Sequence, residues 1–277
     1  MKGLFSMRSL LFCLPYVYFL FSNFLLGQEV HTTKSKDHPY VILISIDGYR
    51  HDYTDIYTPP HLTKIKKEGL SAHSLIPAYP SKPFPNHLSM VTGEYPQKHG
   101  IIANVFYDPK RNQEYRIFDR QSKSDPFWYK ASPIWVTFEK MGIKTASVFW
   151  PGSDVFIENR KPTYHRPYDS SFPNRDRVRL ILKWLKMKKE ARPHFLSLYF
   201  SDVDSMGHRY GPNSSQVKKA VLEIDQVIGQ LIEGLKKLTF PVQILVVSDH
   251  GMKEVNPEDI YDVSQCLNLE KSTKSYG

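Results

Sequence analysis

Cysteine is nearly absent: two in 277 residues, too few for the disulfide framework that holds small secreted scaffolds together. No segment repeats at the period of a solenoid or propeller. No basic stripe or known nucleic-acid-binding module is present either. The 37 Lys and Arg exceed the 28 Asp and Glu to give a net charge of +9, but they are scattered, a pattern that supports only non-specific attraction to phosphate or anionic lipid. With 41% hydrophobic and 23% charged residues, the composition excludes a disordered chain, a collagen-like repeat and a coiled coil. The length suits one large α/β domain better than two independent ones.

Acidic residues are missing from Met1 to Gly27, where Lys2 and Arg8 precede an apolar run from Leu10 to Leu26. That is the form of a secretory signal peptide, with Gly27 as the small residue before cleavage. The run also approaches the length that spans a bilayer, so the alternative reading of residues 1–27 is an uncleaved N-terminal anchor. Either way the rest of the chain is expected outside the cytoplasm, secreted or periplasmic, or membrane-anchored through residues 10–26. Cys13 lies inside this segment, so after cleavage Cys266 has no partner for an intrachain disulfide. A polar linker, residues 28–39, leads to the main domain, residues 40–269, and a tail, residues 270–277.

Apolar runs at Tyr40–Ile46, Lys144–Phe149, Phe195–Phe200 and Val242–Ser248 read as strands, the first buried on both faces. Helical spacing marks Pro60–Lys67, Pro133–Met141, Asn174–Lys188 and Ser214–Leu238, the last with the clearest apolar stripe. Strands alternating with helices predict an α/β fold, a mostly parallel sheet with helices on both faces. Ligands in such folds sit beyond the carboxyl ends of the strands. Three strands here deliver carboxylates to that edge: Asp47, the pair Asp202 and Asp204, and Asp249. A single Asp after a strand is commonly a turn former or a helix cap. Three of them, with His208 and His250 close in sequence, form instead a ligand set for zinc, with manganese or magnesium less favoured as histidine content rises. Asp204 and His208 share one face if that stretch is helical. Asp249 and His250 both reach a site only if the chain has already turned, which Gly251 permits.

The ordered segments Ile44-Ser45-Ile46-Asp47-Gly48, Phe84-Pro85-Asn86-His87, Val91-Thr92-Gly93, His99-Gly100-Ile101-Ile102, Phe149-Trp150-Pro151-Gly152-Ser153, Asp204-Ser205-Met206-Gly207-His208 and Ser248-Asp249-His250-Gly251-Met252 resemble the nucleotide pyrophosphatase/phosphodiesterase family of the alkaline phosphatase superfamily. The resemblance implies two zinc ions, one held by Asp47, Asp249 and His250 and one by Asp204 and His208. It implies that Asn104 donates a hydrogen bond to a non-bridging phosphate oxygen, where charge grows in the transition state. Phe84 and Tyr168 match positions that hold a nucleobase, although core packing explains an aromatic side chain as well; Trp150 and Asp154 line the same region. The implied activity is metal-dependent hydrolysis of phosphodiester or pyrophosphate bonds in nucleotides or related organic phosphodiesters. Choline-type phospholipid diesters are the other substrate class of the family.

Two departures from the family pattern stand out. Pro83 occupies the position of the family's threonine nucleophile, and proline has neither a hydroxyl nor a backbone N–H. Ser81 is the nearest hydroxyl, and a serine beside Pro80 reads most simply as a turn residue. The resemblance also implies a later histidine for the Asp204 and His208 ion, in a Gly-x-His-Gly context, whereas all eleven histidines lie at or before His250. An incomplete second ion site and an exposed apolar sheet edge are therefore expected. The alternative function is a catalytically inactive pseudoenzyme, or a truncated fragment, that binds a phosphorylated ligand or partner.

Overall fold

Strand β1, Tyr40–Ile46, packs apolar side chains on both of its faces because neither carries a charged side chain. Ile42, Ile44 and Ile46 are buried toward one face, in the cluster that includes Val178, Ile181, Val221 and Ile228. Val41 and Leu43 pack toward the other, with Leu88, Trp135 and Trp150. The computed structural model describes residues 39–256 and 258; the predicted signal segment or anchor, most of the linker and the tail lie outside the described residues. No helix among the described residues is long and apolar enough to cross a membrane.

The chain continues through α1 (Tyr53–Tyr57), α2 (Pro60–Glu68), α3 (Pro83–Thr92), α4 (Pro96–His99), β2 (Val105–Asp108), β3 (Gln113–Arg116), α5 (Arg120–Ser124) and α6 (Ile134–Lys140). It then forms β4 (Thr145–Val148), β5 (Tyr164–Arg166), α7 (Asn174–Leu185), β6 (Phe195–Phe200), α8 (Asp202–Tyr210), α9 (Ser215–Leu235) and β7 (Val242–Val247). Five strands make one sheet in the order β5-β4-β6-β1-β7, every pair parallel. Strands β2 and β3 form a separate antiparallel hairpin. The fold is the α/β type the sequence predicts.

Helix α9 starts where Ser214 Oγ accepts the Val217 N–H, a serine cap of the usual kind. It buries Val217, Val221, Ile224, Ile228 and Leu231 along one stripe, the placement its periodicity demands. Within that stripe Asp225 is also buried, and it has a task. Helix α2 follows Pro59, which has no capping side chain. Asp225 supplies the missing acceptors, taking the His61 N–H at 3.2 Å and the Leu62 N–H at 2.7 Å. Asp225→Ala is expected to destabilise the fold by about 2–3 kcal/mol, because two helix donors lose their partner in a buried place. Urea unfolding checks this, and an unchanged midpoint would show that water satisfies those donors.

Helix α3 is the main element the sequence pattern does not announce. Two prolines in its first three residues disguise it. Both are tolerated, since the first-turn N–H groups of a helix have no partner within it. Lys82 is extended, φ −122° and ψ 152°, as a residue before proline prefers. At the other side of the sheet β7 is the edge strand among the described residues, with Leu245 46% exposed.

Candidate metal centre

The carboxyl end of β1 lies between those of β6 and β7, and hydrogen bonds from backbone N–H groups stitch the three ends together. Asp204 N–H donates to the Asp47 carbonyl at 3.1 Å. Gly48 N–H donates to Asp249 Oδ1 at 3.2 Å, and Tyr49 N–H to Ser248 Oγ at 3.0 Å. Gly48 has φ +67°, and a Cβ there would stand 2.9 Å from Asp204 Cα and Cβ. Only glycine permits both the left-handed turn and this approach.

Each of the two buried carboxylates is held by one oxygen and free at the other. Tyr199 OH donates to Asp47 Oδ2 at 2.6 Å, as Gly48 does to Asp249 Oδ1. Asp47 Oδ1 and Asp249 Oδ2 are buried with no hydrogen-bond donor, and so is Asp204 Oδ1. The free oxygens of Asp47 and Asp249 lie 3.4 and 3.3 Å from His250 Nε2. Helix α8 brings His208 Nε2 to 3.3 Å from Asp204 Oδ1, on the exposed side. Ligand atoms fall into two groups, each with all atoms within 4.8 Å of one another: Asp47, His87 and Asp249, and Asp47, Asp204 and His250. Orphaned buried carboxylate oxygens are costly by themselves, and a divalent cation is the partner that would satisfy several at once. Aspartate oxygens with imidazole nitrogens suit zinc.

Electrostatics agree with that fit. Burial, with the charges of Asp249 and Asp204 nearby, pushes the Asp47 carboxyl up to about 7. Burial also raises Asp249. Burial opposes protonation of His250, but the Asp249 and Asp47 carboxylates outweigh it and raise its pKa. A carboxyl raised on folding contributes stability that is complete below its unfolded value and lost as pH rises through its folded one. Without metal, Asp47→Asn is therefore expected to melt several degrees above the wild type at pH 8, the gap closing toward pH 5. Added zinc should reverse the order at pH 8. Thermal melts with chelator and with zinc check this; equal melting at pH 8 under chelator would mean Asp47 carries no buried charge.

Helix α3 borders the centre through its first turn. Pro83 is the first helical residue, and its carbonyl accepts the His87 Nδ1–H at 2.7 Å. His87 Nε2 accepts from Ser45 Oγ at 2.8 Å, and its Nδ1 lies 3.6 Å from Asp249 Oδ2. Burial lowers the His87 pKa, so the ring is neutral. Asn86 clamps the loop before the helix, accepting the Ala78 N–H and donating to the carbonyls of Ala78, Pro80 and Lys82. Neither Asn86 nor His87 stands out as a site residue in the sequence, although both lie in its Phe-Pro-Asn-His segment. Their position after the two prolines is the one available signal.

The other sequence candidates are placed as follows. Asn104 Oδ1 accepts the Phe84 N–H at 3.3 Å, which holds its amide beside the first turn of α3. Phe84 is half-buried and meets Tyr115 edge-on at 6.5 Å. Tyr168 is 50% exposed, with its ring 5.3 Å from Phe149 and 6.4 Å from Tyr199. Ser81 is exposed in the loop that Asn86 clamps. Trp150 is 1% exposed; it donates to the His87 carbonyl at 3.3 Å and packs edge-on against that ring, a place in the core and not at the surface of the site. Asp154 is half-buried, with its charge acting on Tyr115, Tyr129 and His165. A cleft of about 450 Å³, lined among others by Leu75, Ile76, Met90, Tyr95 and Ser248, reaches Asp249.

The model of the family described as type I phosphodiesterase / nucleotide pyrophosphatase matches residues 41–276. Human ectonucleotide pyrophosphatase/phosphodiesterase family member 1 is 43% identical over 220 residues, 78% of this chain and 24% of that protein. A venom phosphodiesterase of Crotalus durissus collilineatus is 39% identical over 220 residues, 78% of this chain and 26% of that one. Among solved structures, murine ectonucleotide pyrophosphatase/phosphodiesterase 5 superposes with a TM-score of 0.78 at 33% identity, over 84% of this chain and 62% of that chain. That structure is described as an inactive threonine-to-alanine variant in complex with AMP. The chain spans about a quarter of the length of these curated relatives.

Proposed function

This chain belongs to the type I phosphodiesterase / nucleotide pyrophosphatase family, and from that premise we propose that its carboxylate–histidine centre is a two-zinc site acting on phosphodiester or pyrophosphate bonds of nucleotides. The observation that carries this reading is the set of buried Asp47, Asp204 and Asp249 oxygens left without donors beside the two histidines. Asp47, Asp249 and His250 would hold one ion, and Asp204 and His208 would hold the other. When bound, a pair of cations supplies Lewis-acid stabilisation of the attacking and leaving oxygens of an in-line displacement.

The chain's own groups carry the rest. Asn104, fixed by the Phe84 N–H, would donate from its NH2 to a non-bridging phosphate oxygen. Phe84 and Tyr168 would flank the base of a nucleotide, the kind of ligand that AMP represents in the murine relative. Neutral His87 holds the Pro83 carbonyl and with it the first turn of α3. Residue 83 offers no hydroxyl, so the attacking oxygen must come from water or from Ser81. The domain would extend over residues 40–269, outside the cytoplasm, delivered or anchored by residues 1–27.

Pro83 favours a second reading, in which the site binds a phosphorylated ligand without turning it over. Zinc-dependent hydrolysis of a chromogenic nucleotide phosphodiester, with Asp249→Ala as the blank, separates the two. Turnover that vanishes in the blank supports hydrolysis. Calorimetric binding of AMP without turnover supports the binder, and neither signal from a folded chain overturns both. A choline-type phosphodiester run in parallel distinguishes the two substrate classes.

A further inference from the structure

We infer that Tyr199 is a positioning residue of this centre, its hydroxyl setting which oxygen of Asp47 faces the cation. The inference rests on the metal-centre reading above. A carboxylate turns readily about its terminal bond, so a ligand oxygen is presented reliably only if the other oxygen is tied. For Asp249 the tie is the Gly48 N–H, a backbone group. For Asp47 it is the Tyr199 hydroxyl, at 2.6 Å and fully inside the protein.

Tyr199 sits in β6 opposite Ser45 of β1, two residues before Asp47. Its ring meets two others edge-on, His87 at 5.2 Å and an interplanar angle of 77°, and Tyr168 at 6.4 Å and 63°. Arg177 donates to the Tyr199 backbone carbonyl at 3.1 Å and so fixes the strand that carries the ring. The ring therefore has little freedom to take its hydroxyl elsewhere. The Tyr199 O–H donates to Asp47 Oδ2, an oxygen that can only accept when the carboxylate is ionised. The consequence is visible at the other oxygen: Asp47 Oδ1 is left without a donor and lies 3.4 Å from His250 Nε2. Outer partners that orient a metal-binding carboxylate change affinity by about 10–100-fold when removed. The contact of Tyr199 with Tyr168 also joins the centre to an aromatic face proposed for the nucleobase.

The test is zinc affinity of the full chain and of Tyr199→Phe, measured by competition with a chromogenic chelator, together with the visible spectrum of each loaded with cobalt(II). Tyr164→Phe, which loses a hydroxyl bonded to the Ala191 carbonyl at the far end of the sheet, is the control. Tyr199→Phe should bind zinc about 10–100-fold more weakly and show a shifted cobalt spectrum, with Tyr164→Phe like the wild type. Wild-type affinity and an unshifted spectrum in Tyr199→Phe would reduce Tyr199 to a packing residue, with the metal centre intact. No zinc binding by the wild-type chain would overturn the metal reading, and this inference with it. Should Tyr199→Phe not fold, 3-fluorotyrosine at this position, which retains the shape but alters the acidity of the hydroxyl, must move the cobalt spectrum; an unmoved one overturns the inference.

Discussion

Pro83→Thr is expected to raise zinc-dependent hydrolysis of a nucleotide phosphodiester by several orders of magnitude. The change restores two groups at once. A hydroxyl appears at the first residue of α3, beside the Asn104 amide and within the turn held by His87. A backbone N–H also appears at the start of the helix, where donors favour an anion. Loss of the nucleophile in a covalent hydrolase costs on the order of 10⁶ in kcat, which sets the upper limit of the gain. The fold should tolerate the change at a cost under about 1 kcal/mol, since threonine accepts helical dihedrals and proline chiefly restricts the unfolded chain. Steady-state kcat for wild type and variant under saturating zinc is the measurement. An unchanged kcat would place the limiting defect elsewhere, first of all at the second ion site proposed for Asp204 and His208.

The second large effect is expected from Asp249→Ala, which should abolish zinc binding at its site while leaving the metal-free fold nearly undisturbed. Asp249 contributes one of the two donor-free oxygens beside His250, so its loss should weaken zinc by more than the roughly 100-fold that an outer partner commands. Stability responds differently. Burial penalises the Asp249 charge and Asp249 in turn raises Asp47, so removing it relieves repulsion, against which stand the Gly48 N–H left without its acceptor and the loss of one of the two carboxylates beside His250. Zinc content after dialysis and metal-free thermal melts give the two readouts. Wild-type zinc content in the variant would sink the ligand assignment.

Much of the fold is legible from local pattern. The strands β1, β4, β6 and β7 and the helices α2, α6, α7 and α9 lie within three residues of where periodicity sets them. Helix α9 ends at Leu235 instead of Leu238 and α7 at Leu185 instead of Lys188, the usual uncertainty where a last turn frays. Helix α3 shows no clear periodic signal because Pro83 and Pro85 open it, and their position in the first turn makes them harmless only once the helix is seen. The hairpin of β2 and β3 has short strands, and Val105–Asp108 and Gln113–Arg116 are half polar, so alternation over four residues is too little to separate strand from loop. Asp225 illustrates another limit: a buried acid within an apolar stripe makes sense only once α2 is seen to need its acceptors.

The sequence by itself determined that this is an α/β protein whose buried strands end in aspartates, and that residue 83 has no hydroxyl. Those are properties of neighbouring residues: hydropathy along a run, and side-chain chemistry at its end. Only the tertiary structure decided that β1 lies between β6 and β7, so that Asp47 meets both Asp204 and Asp249. It alone revealed His87 bonded to Ser45, 42 positions away, Tyr199 to Asp47, 152 away, and Gly48 to Asp249, 201 away. Strand order in a parallel sheet is set by the path of the crossovers and by how whole faces pack, and periodicity within one strand carries no record of either.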